Sequence, residues 1–527
     1  MKKLLIALFL ILVLLFYNFY ICAQNQFAGI SFFSPRSQGA NNARRLSSWH
    51  CYRETDQSDS GRITILATPS YAHSQKAEHI AQALFGVNTI IIQGSQIPDR
   101  DTDSYVADYF GLSPKFASSV EIAPKIRNAL VDLEFHATLG EQLACLYLQL
   151  NVPIVGNSRW HMELIETLLN GSQNSDFPIN YMDETAVTPP INSFLQAWNG
   201  TVTYGQMQNA QKFGLLTCAR STHGIANLMA TLGWHVALSD YGRFDLALQV
   251  TAPTGTRPDS TYFFEPIAGN GKHWQVGFDF AGDVLLWECE GDQQVRFFAD
   301  VTFSTLCSTD QRRSFDLMTT ATDPLYNNFG TRFLLLKEFD GVTYDKHLIP
   351  AINQTTLACD VRVDLEFDCA FMFSYQCRSM FLDLGYNGWI RSKEKISIDQ
   401  CATIANLGIK GLQNVSISPG MVNNLTQSMA TLFTTNTIPD MPSPQFLSQA
   451  NLDHHSAASP RIMTHKLFFN LGCFGSWCDY DVTQPHVFAS VGGEIEFQAT
   501  NPRTSPRPVH ATMSQWAVWT KFGYVFF

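Results

Sequence analysis

Few stretches of the chain place residue types at spacings that catalysis or metal binding would need. Asp99, Asp101 and Asp103 fall on the first three ligand spacings of a calcium loop. Ser104 stands where the loop needs its sixth-position Gly, and Phe110 where it needs a bidentate Glu, so an EF-hand is excluded. A looser surface calcium site and a solvated acidic loop both remain. Ala268-Gly269-Asn270-Gly271-Lys272 is the nearest approach to a phosphate loop. It lacks the G-x-x-x-x-G-K-[ST] spacing, His273 stands where Ser or Thr is needed, and the segment reads as a turn. Ser392-Lys393-Glu394-Lys395 fits S-x-x-K without a partner motif, and the adjacent His454 and His455 read as a solvated loop. No nucleophile elbow, zinc helix or cysteine-pair repeat occurs, so neither an enzyme nor a cofactor or metal site is expected.

The other chemistry-bearing groups are charged residues repeating every second position. Between Cys359 and Phe371, Asp360, Arg362, Asp364, Glu366 and Asp368 alternate with Val361, Val363, Leu365 and Phe367. Successive residues of a strand point to opposite faces, so this strand has one apolar wall and one densely ionised wall. The same pattern puts Asp132, Glu134 and His136 on one polar face, Arg243 and Asp245 on a second, and Arg296 and Asp300 on a third. Trp274, Val276, Phe278, Phe280, Val284 and Leu286 hold one apolar register over a long run, and Val487, Val491, Ile495 and Phe497 another. The runs are about 10 to 16 residues long, against five or six for strands of soluble proteins. Tilted strands that cross a membrane need roughly 9 to 11.

Composition agrees with these elements. The 527 residues are 15 % charged and 13 % aromatic, with 39 Phe. Ordinary soluble chains are about 25 % charged. Mean hydropathy is only −0.05. Beyond the first 23 residues no apolar run approaches the roughly 20 residues of a membrane-spanning helix. Lys+Arg number 35 against 46 Asp+Glu, which disfavours a nucleic-acid partner.

The chain opens with Lys2 and Lys3, an apolar stretch from Leu4 to Phe16 and a small residue at Ala23, which reads as a signal peptide over 1–23. An uncleaved anchor is the alternative; either form directs export. Cys473 with Cys478, and Cys369 with Cys377, are close enough to pair across turns. Five N-x-[ST] sequons are uninformative in a chain this rich in Asn, Ser and Thr.

The last residues, Ser514 to Phe527, read SQWAVWTKFGYVFF. A final aromatic-rich strand ending in Phe resembles Gram-negative outer-membrane β-barrel proteins. Here the stronger apolar face (Trp516, Val518, Phe522, Tyr524, Phe526) lies one residue out of step with the last Phe. The resemblance implies an all-β transmembrane antiparallel barrel in a bilayer with lipopolysaccharide. It also implies that Phe527 is read by the barrel-insertion machinery as a membrane-insertion signal.

Threading the periodic runs gives about 14 strands, within a range of 12 to 18: 27–34, 62–71, 88–95, 118–139, 144–155, 229–239, 242–253, 271–289, 293–305, 356–371, 378–391, 462–475, 485–499 and 514–527. Residues 24–527 then form one barrel domain with long extracellular loops at 156–228, 306–355 and 392–461, and short turns that include 372–377. Short helices are expected at 76–85 and from His161 to Asn170, and Arg332 to Glu338 is a further candidate strand. Lipid would meet Val361, Val363, Leu365, Phe367, Trp274 and Phe278, and Trp287, Trp389, Trp516 and Trp519 suit interfacial girdles. Asp132, Glu134, His136, Arg243, Asp245, Arg296, Asp300, Arg362, Asp364, Glu366 and Asp368 would line the lumen. There they either set solute preference in a porin-like diffusion channel or pair with one another in a plugged barrel. A gated transporter for hydrophobic compounds and a secreted all-β adhesin or envelope glycoprotein are the rival functions.

Overall fold

Twelve antiparallel strands close into a barrel in a computed structural model of the chain. The structure describes residues 36–56, 63–85, 88–94, 97–101, 104–113, 115–138, 145–171, 191–203, 207–239, 241–289, 293–317, 331–340, 343–398, 406–409, 447–459, 461–475, 486–497 and 514–526. The barrel strands are β1 (Ile63–Ser74), β2 (Ala117–Thr138), β3 (Leu146–Asn170), β4 (Leu228–Ser239), β5 (Gly242–Ala252) and β6 (Gln275–Cys289). They continue with β7 (Gln293–Ser314), β8 (Thr356–Cys377), β9 (Met380–Arg391), β10 (Ile462–Gly475), β11 (His486–Phe497) and β12 (Gln515–Phe526). Each pairs with its neighbours in sequence, and β12 returns to β1, from Ile63↔Phe526 to Ser74↔Gln515. Closure leaves no unpaired edge in the wall.

The alternation seen in the sequence sets which face goes where. Large apolar residues on the outer parity stay exposed around the circumference: Phe278 61 %, Leu384 57 % and Phe522 56 %, with Leu232, Phe469 and Val491 among the others. A continuous apolar belt of this kind is unfavourable in water and favourable in lipid. The inner parity carries the charged and amide side chains, and these are buried. Glycine admits bulky inward rings at close quarters: a Cβ at Gly385 would collide with the Phe468 ring, and one at Gly472 with Phe381.

Two of the expected strands do not belong to the wall. Residues 27–34 lie outside the described residues. Thr89–Gln93 is a strand but pairs with Ala117–Glu121, the far end of β2. The wall already has β1 against β2, from Ile63↔Ala137 to His73↔Arg127, so no place remains for it. The expected helix at 161–170 is the end of β3, which pairs with β2 from Ala117↔Asn170 onward. The turn expected at 372–377 is strand; the chain reverses at Arg378 and Ser379, with Arg378 at φ +51°. The helix α3 (Ala77–Phe85) forms as expected, and Leu335–Asp340 is the further strand. Cys369 and Cys377 sit on the single strand β8 and do not pair; Cys369 and Cys473 are free, and Cys478 lies outside the described residues.

At the end away from the short turns the strands overrun the wall and build a cap. Glu394–Ile398 adds to β8, Ala219–Ile225 adds to β3, and Leu335–Asp340 joins Thr343–Pro350 and Leu407–Ile409 in a small sheet. Its core packs Phe110, Phe116, Trp160, Phe194, Trp198 and Phe333 with Val361 and Ile398.

The wall and the cap meet at a register shift. Ser304 pairs with Glu366, Leu306 with Val363 and Thr309 with Val361, so each strand gains one extra residue. A bulge of this kind exchanges the two faces of a strand. The 361–371 ladder is therefore not one face. Val361 is buried in the cap core and Val363 is fully buried beside it in sequence, where lipid contact was expected for both. Arg362 and Asp364 are not in the lumen: their side chains are 59 % and 47 % exposed, and Asp364 pairs with Lys395 at 2.5 Å.

Candidate functional site

The barrel lumen is filled by the segment that precedes β1. Asn41 caps the short helix α1 (Asn42–Leu46) by accepting from the Arg44 N–H at 3.2 Å. Asn is favoured at this position because its side chain can satisfy an orphan amide. A second helix, α2 (Trp49–Asp56), follows, and the chain enters β1 at Ile63. Arg36 lies near the cap end, within 3.3 Å of Thr464 and Glu496 and over the ring of Trp389. His50 lies near the short-turn end, 2.9 Å from Asp383 and 3.3 Å from Ser374. Residues 36–56 thus run down the lumen as a plug.

Most of the polar wall is spent on this plug. Arg45 forks onto Asp300, with Nη2 at 2.8 Å and Nε at 3.2 Å from Oδ2, and lies 3.5 Å from Asp279. Arg44 reaches Asp132 at 2.5 Å. Asn42 donates to Asp300 and Thr302, both at 3.3 Å. Asn41 donates to Glu494 at 3.0 Å, and Lys466 reaches the same carboxylate at 2.8 Å. Glu134 receives Ser48 at 3.0 Å, Tyr52 at 2.5 Å and Lys521 at 3.2 Å. Buried charges are tolerated when paired and hydrogen-bonded in this way.

The expected lumen residues divide accordingly. Asp132, Glu134 and Asp300 hold the plug. His136 stacks on Tyr52 with centroids 4.4 Å apart, and Arg243 lies 4.4 Å from the Trp49 ring centroid. Asp245 pairs with His235 at 2.7 Å and with Arg243 at 3.0 Å; Arg296 pairs with Asp283 at 2.6 Å. Glu366 and Asp368 face a cavity beside the plug. Of the expected outward residues, Trp274 and Phe278 are exposed, Leu365 is half-buried, and Phe367 packs beside Phe303 with centroids 4.8 Å apart. Trp287 is exposed, but Trp389 and Trp519 are buried. Trp389 lies under Arg36 in the lumen, and Trp519 packs with the plug's apolar residues. Phe527 lies outside the described residues.

Sequence reasoning missed the plug ligands Asn41, Arg44, Arg45, His50 and Tyr52. A signal was present: 36–61 has no period-two pattern and is far longer than a barrel turn needs. Asp279, Asp283, Lys466 and Lys521 were missed too, although each stands on the polar parity of an apolar ladder.

The short-turn end is closed by aromatic packing. Trp49 and Tyr52 join Phe298, Phe381, Phe474, Phe488 and Trp519 in one buried cluster. His50 stacks on Phe381 at 4.3 Å. At the cap end a polar network ties the cap to the wall. Glu394 receives Arg391 at 2.7 Å, Arg313 at 3.1 Å and the Ser459 N–H at 2.8 Å. Burial alone would raise the Glu394 carboxyl, but Arg313 and Arg391 outweigh it and hold it at about 2. The His273 Nδ1–H donates to the Cys307 carbonyl at 2.8 Å, which leaves Nε2 to accept from Gln311 at 3.1 Å. Burial pushes the His273 imidazole down to about 4.

The cavities beside the plug include two of about 60 Å³ whose linings carry charged and amide side chains. At roughly 15 Å³ per water each admits a few waters, not a solute. Among the described residues no group of three His, Cys, Asp or Glu could hold a metal ion.

No family model matches the chain, and no curated protein does. Solved outer-membrane barrels are similar to it in fold. An outer membrane channel from Pseudomonas putida F1 is 10 % identical, with 90 % of this chain and 98 % of that one covered, at a TM-score of 0.32. The monoaromatic hydrocarbon channel TodX, as a deletion mutant, is 7 % identical, with 94 % of each chain covered, at 0.30. The β domain of the Bordetella autotransporter BrkA is 6 % identical, with 89 % of this chain and all of that one covered, at 0.24. At these scores the likeness carries no functional argument; the barrel rests on the strand pairing of this chain.

Proposed function

We propose that this protein is an outer-membrane transporter whose barrel is closed at rest by its own residues 36–56 and conducts when that segment moves. The observation that carries this reading is the bonding of Arg44 and Arg45 to Asp132 and Asp300 across the middle of the lumen. A passive diffusion porin needs a continuous aqueous path, and the plug occupies it. The wall behind the plug is lined by charged groups of both signs and by amides, which favours polar over hydrophobic solutes. The apolar belt fits a bilayer, with lipopolysaccharide around its outer part and the capped end extracellular. Export by a leader over 1–23 and insertion through Phe527 belong to the same proposal.

The test is conductance in planar bilayers. The full chain should be closed or only briefly open, and deletion of residues 36–56 should give large, stable openings. A gel-mobility shift between unheated and boiled samples establishes that each protein is folded. Stable, wide openings of the intact chain would replace gating with open diffusion. A folded deletion variant that conducts no better than the intact chain would remove the plug as the gate.

A further inference from the structure

The cavity between the plug and the wall from β2 to β8 is lined by two buried carboxylates that have no cation in direct contact among the described residues. Glu366 and Asp368 occupy successive inward positions on β8 and are 9 % and 6 % exposed. Both line the cavity, with Asp132 and Glu134 opposite. The side chains that donate to them are uncharged: Gln275 at 3.2 Å and the Trp389 indole to Glu366, and Asn387 at 2.5 Å to Asp368. Arg391 and Arg36 act on Glu366, and Arg36 and Lys466 on Asp368, only through space. Asp132 is buried at 3 % exposure; Arg44 holds its Oδ2, while its Oδ1 has no partner among the described residues. Arg45, the basic residue lining the cavity, is already bound by Asp300. A carboxylate out of water needs a cation or several donors to remain ionised.

We propose that this cavity is a subsite for the cationic head group of a transported solute, a guanidinium or primary ammonium with several N–H donors. The proposal rests on the gated-transporter reading and names the solute class. The wall itself shows the chemistry it accepts, because three of the plug side chains that its carboxylates bind in the closed barrel, Arg36, Arg44 and Arg45, are guanidinium groups. A bare metal ion suits it poorly, because the carboxylates do not converge as a ligand set. A volume of about 60 Å³ takes a head group in place of a few waters, but not the body of a solute. A cation seated there lies beside Arg45 and opposes it, so binding weakens the hold of Asp300 and Asp132 on the plug.

The test uses the purified full chain in detergent, titrated calorimetrically with butylguanidinium and with butylurea, its uncharged isostere. Butylguanidinium should bind saturably, and butylurea about tenfold more weakly or not at all. The paired change Glu366→Gln with Asp368→Asn should weaken butylguanidinium about tenfold or more, while Arg45→Met, which vacates Asp300 and Asp279, should strengthen it. If the paired variant does not fold, Asp132→Asn carries the same expected loss. Equal binding of the two probes, binding undiminished in the folded carboxylate variants, or no binding even to Arg45→Met would overturn the subsite. Loss of the subsite with the plug deletion still opening the channel leaves gating intact. Binding of the cation by a barrel that the deletion does not open would sink gating alone.

Discussion

The plug is held by different chemistry at its two ends. Toward the cap, α1 is fixed by charge: Arg44 on Asp132, Arg45 on Asp300 and Asp279, Asn41 on Glu494. Toward the short turns, α2 is packed among rings, Trp49 and Tyr52 with Phe381, Phe474, Phe488 and Trp519, and its polar contacts are His50 on Asp383 and Tyr52 on Glu134. Apolar contact is non-directional and weakens gradually as surfaces separate. A buried ion pair is directional, and losing one partner leaves an uncompensated charge. The charged half therefore behaves as a latch with two states, and the aromatic half as a seal. The difference also explains how one lumen can be both tight and releasable, since a competing cation can satisfy the carboxylates while nothing polar replaces the aromatic packing.

The largest effect should come from breaking the latch. Arg45→Met leaves Asp300 and Asp279 buried without their guanidinium, at a cost of about 3–5 kcal/mol to the docked plug. Bilayer recordings should show long openings, and adding Asp300→Asn should restore part of the closure. A variant as closed as the parent would show that the seal alone holds the plug. Phe488→Ala should act on the other half. Phe488 is fully buried, with ring centroids 5.5 Å from both Phe381 and Phe474. Its loss should cost about 3–4 kcal/mol in denaturant or thermal unfolding, with only brief leaks in conductance. Openings as long as those of Arg45→Met would erase the distinction between latch and seal.

The wall was largely legible in the sequence because its period is two and its partner on one side is lipid. Trp274 through Leu286 announces a strand without any tertiary information. The face of a strand was legible only as far as its register ran unbroken. Val361, Val363, Arg362 and Asp364 were assigned to the wrong sides because the bulge beyond Glu366 changes the parity, and a bulge leaves no mark on a period-two pattern. The extra expected strand at 88–95 failed for a related reason: Thr89–Gln93 does pair, but with the part of β2 that rises above the wall. The plug was not legible as a plug. Its residues are short helical turns, and their meaning lies in carboxylates that are 82 to 460 positions away along the chain. The charged inner faces were visible, yet whether they meet water or Arg44 and Arg45 depends on where a non-periodic segment goes.

The smallest effect on closure should come from acid acting on the cap network, which touches neither half of the plug directly. His273 is held neutral, with its pKa at about 4 against an ordinary 6.5, so the unfolded cap binds the proton more readily. That contribution is present above pH 6.5 and is lost as the pH falls toward 4. Glu394 is held at about 2 against an ordinary 4.5, so its contribution is present above pH 4.5 and is lost between there and 2. Each is worth up to roughly 3 kcal/mol at one pKa unit per 1.36 kcal/mol. Hydrogen exchange over 394–398 and 452–459 should therefore quicken in two stages on acidification. Protonated His273 would offer Gln311 a donor where it now accepts, so His273→Asn should remove the first stage and keep the second. If acid opened the channel as readily as Arg45→Met does, the cap would be part of the gate, and closure could no longer be assigned to the latch and seal of residues 36–56.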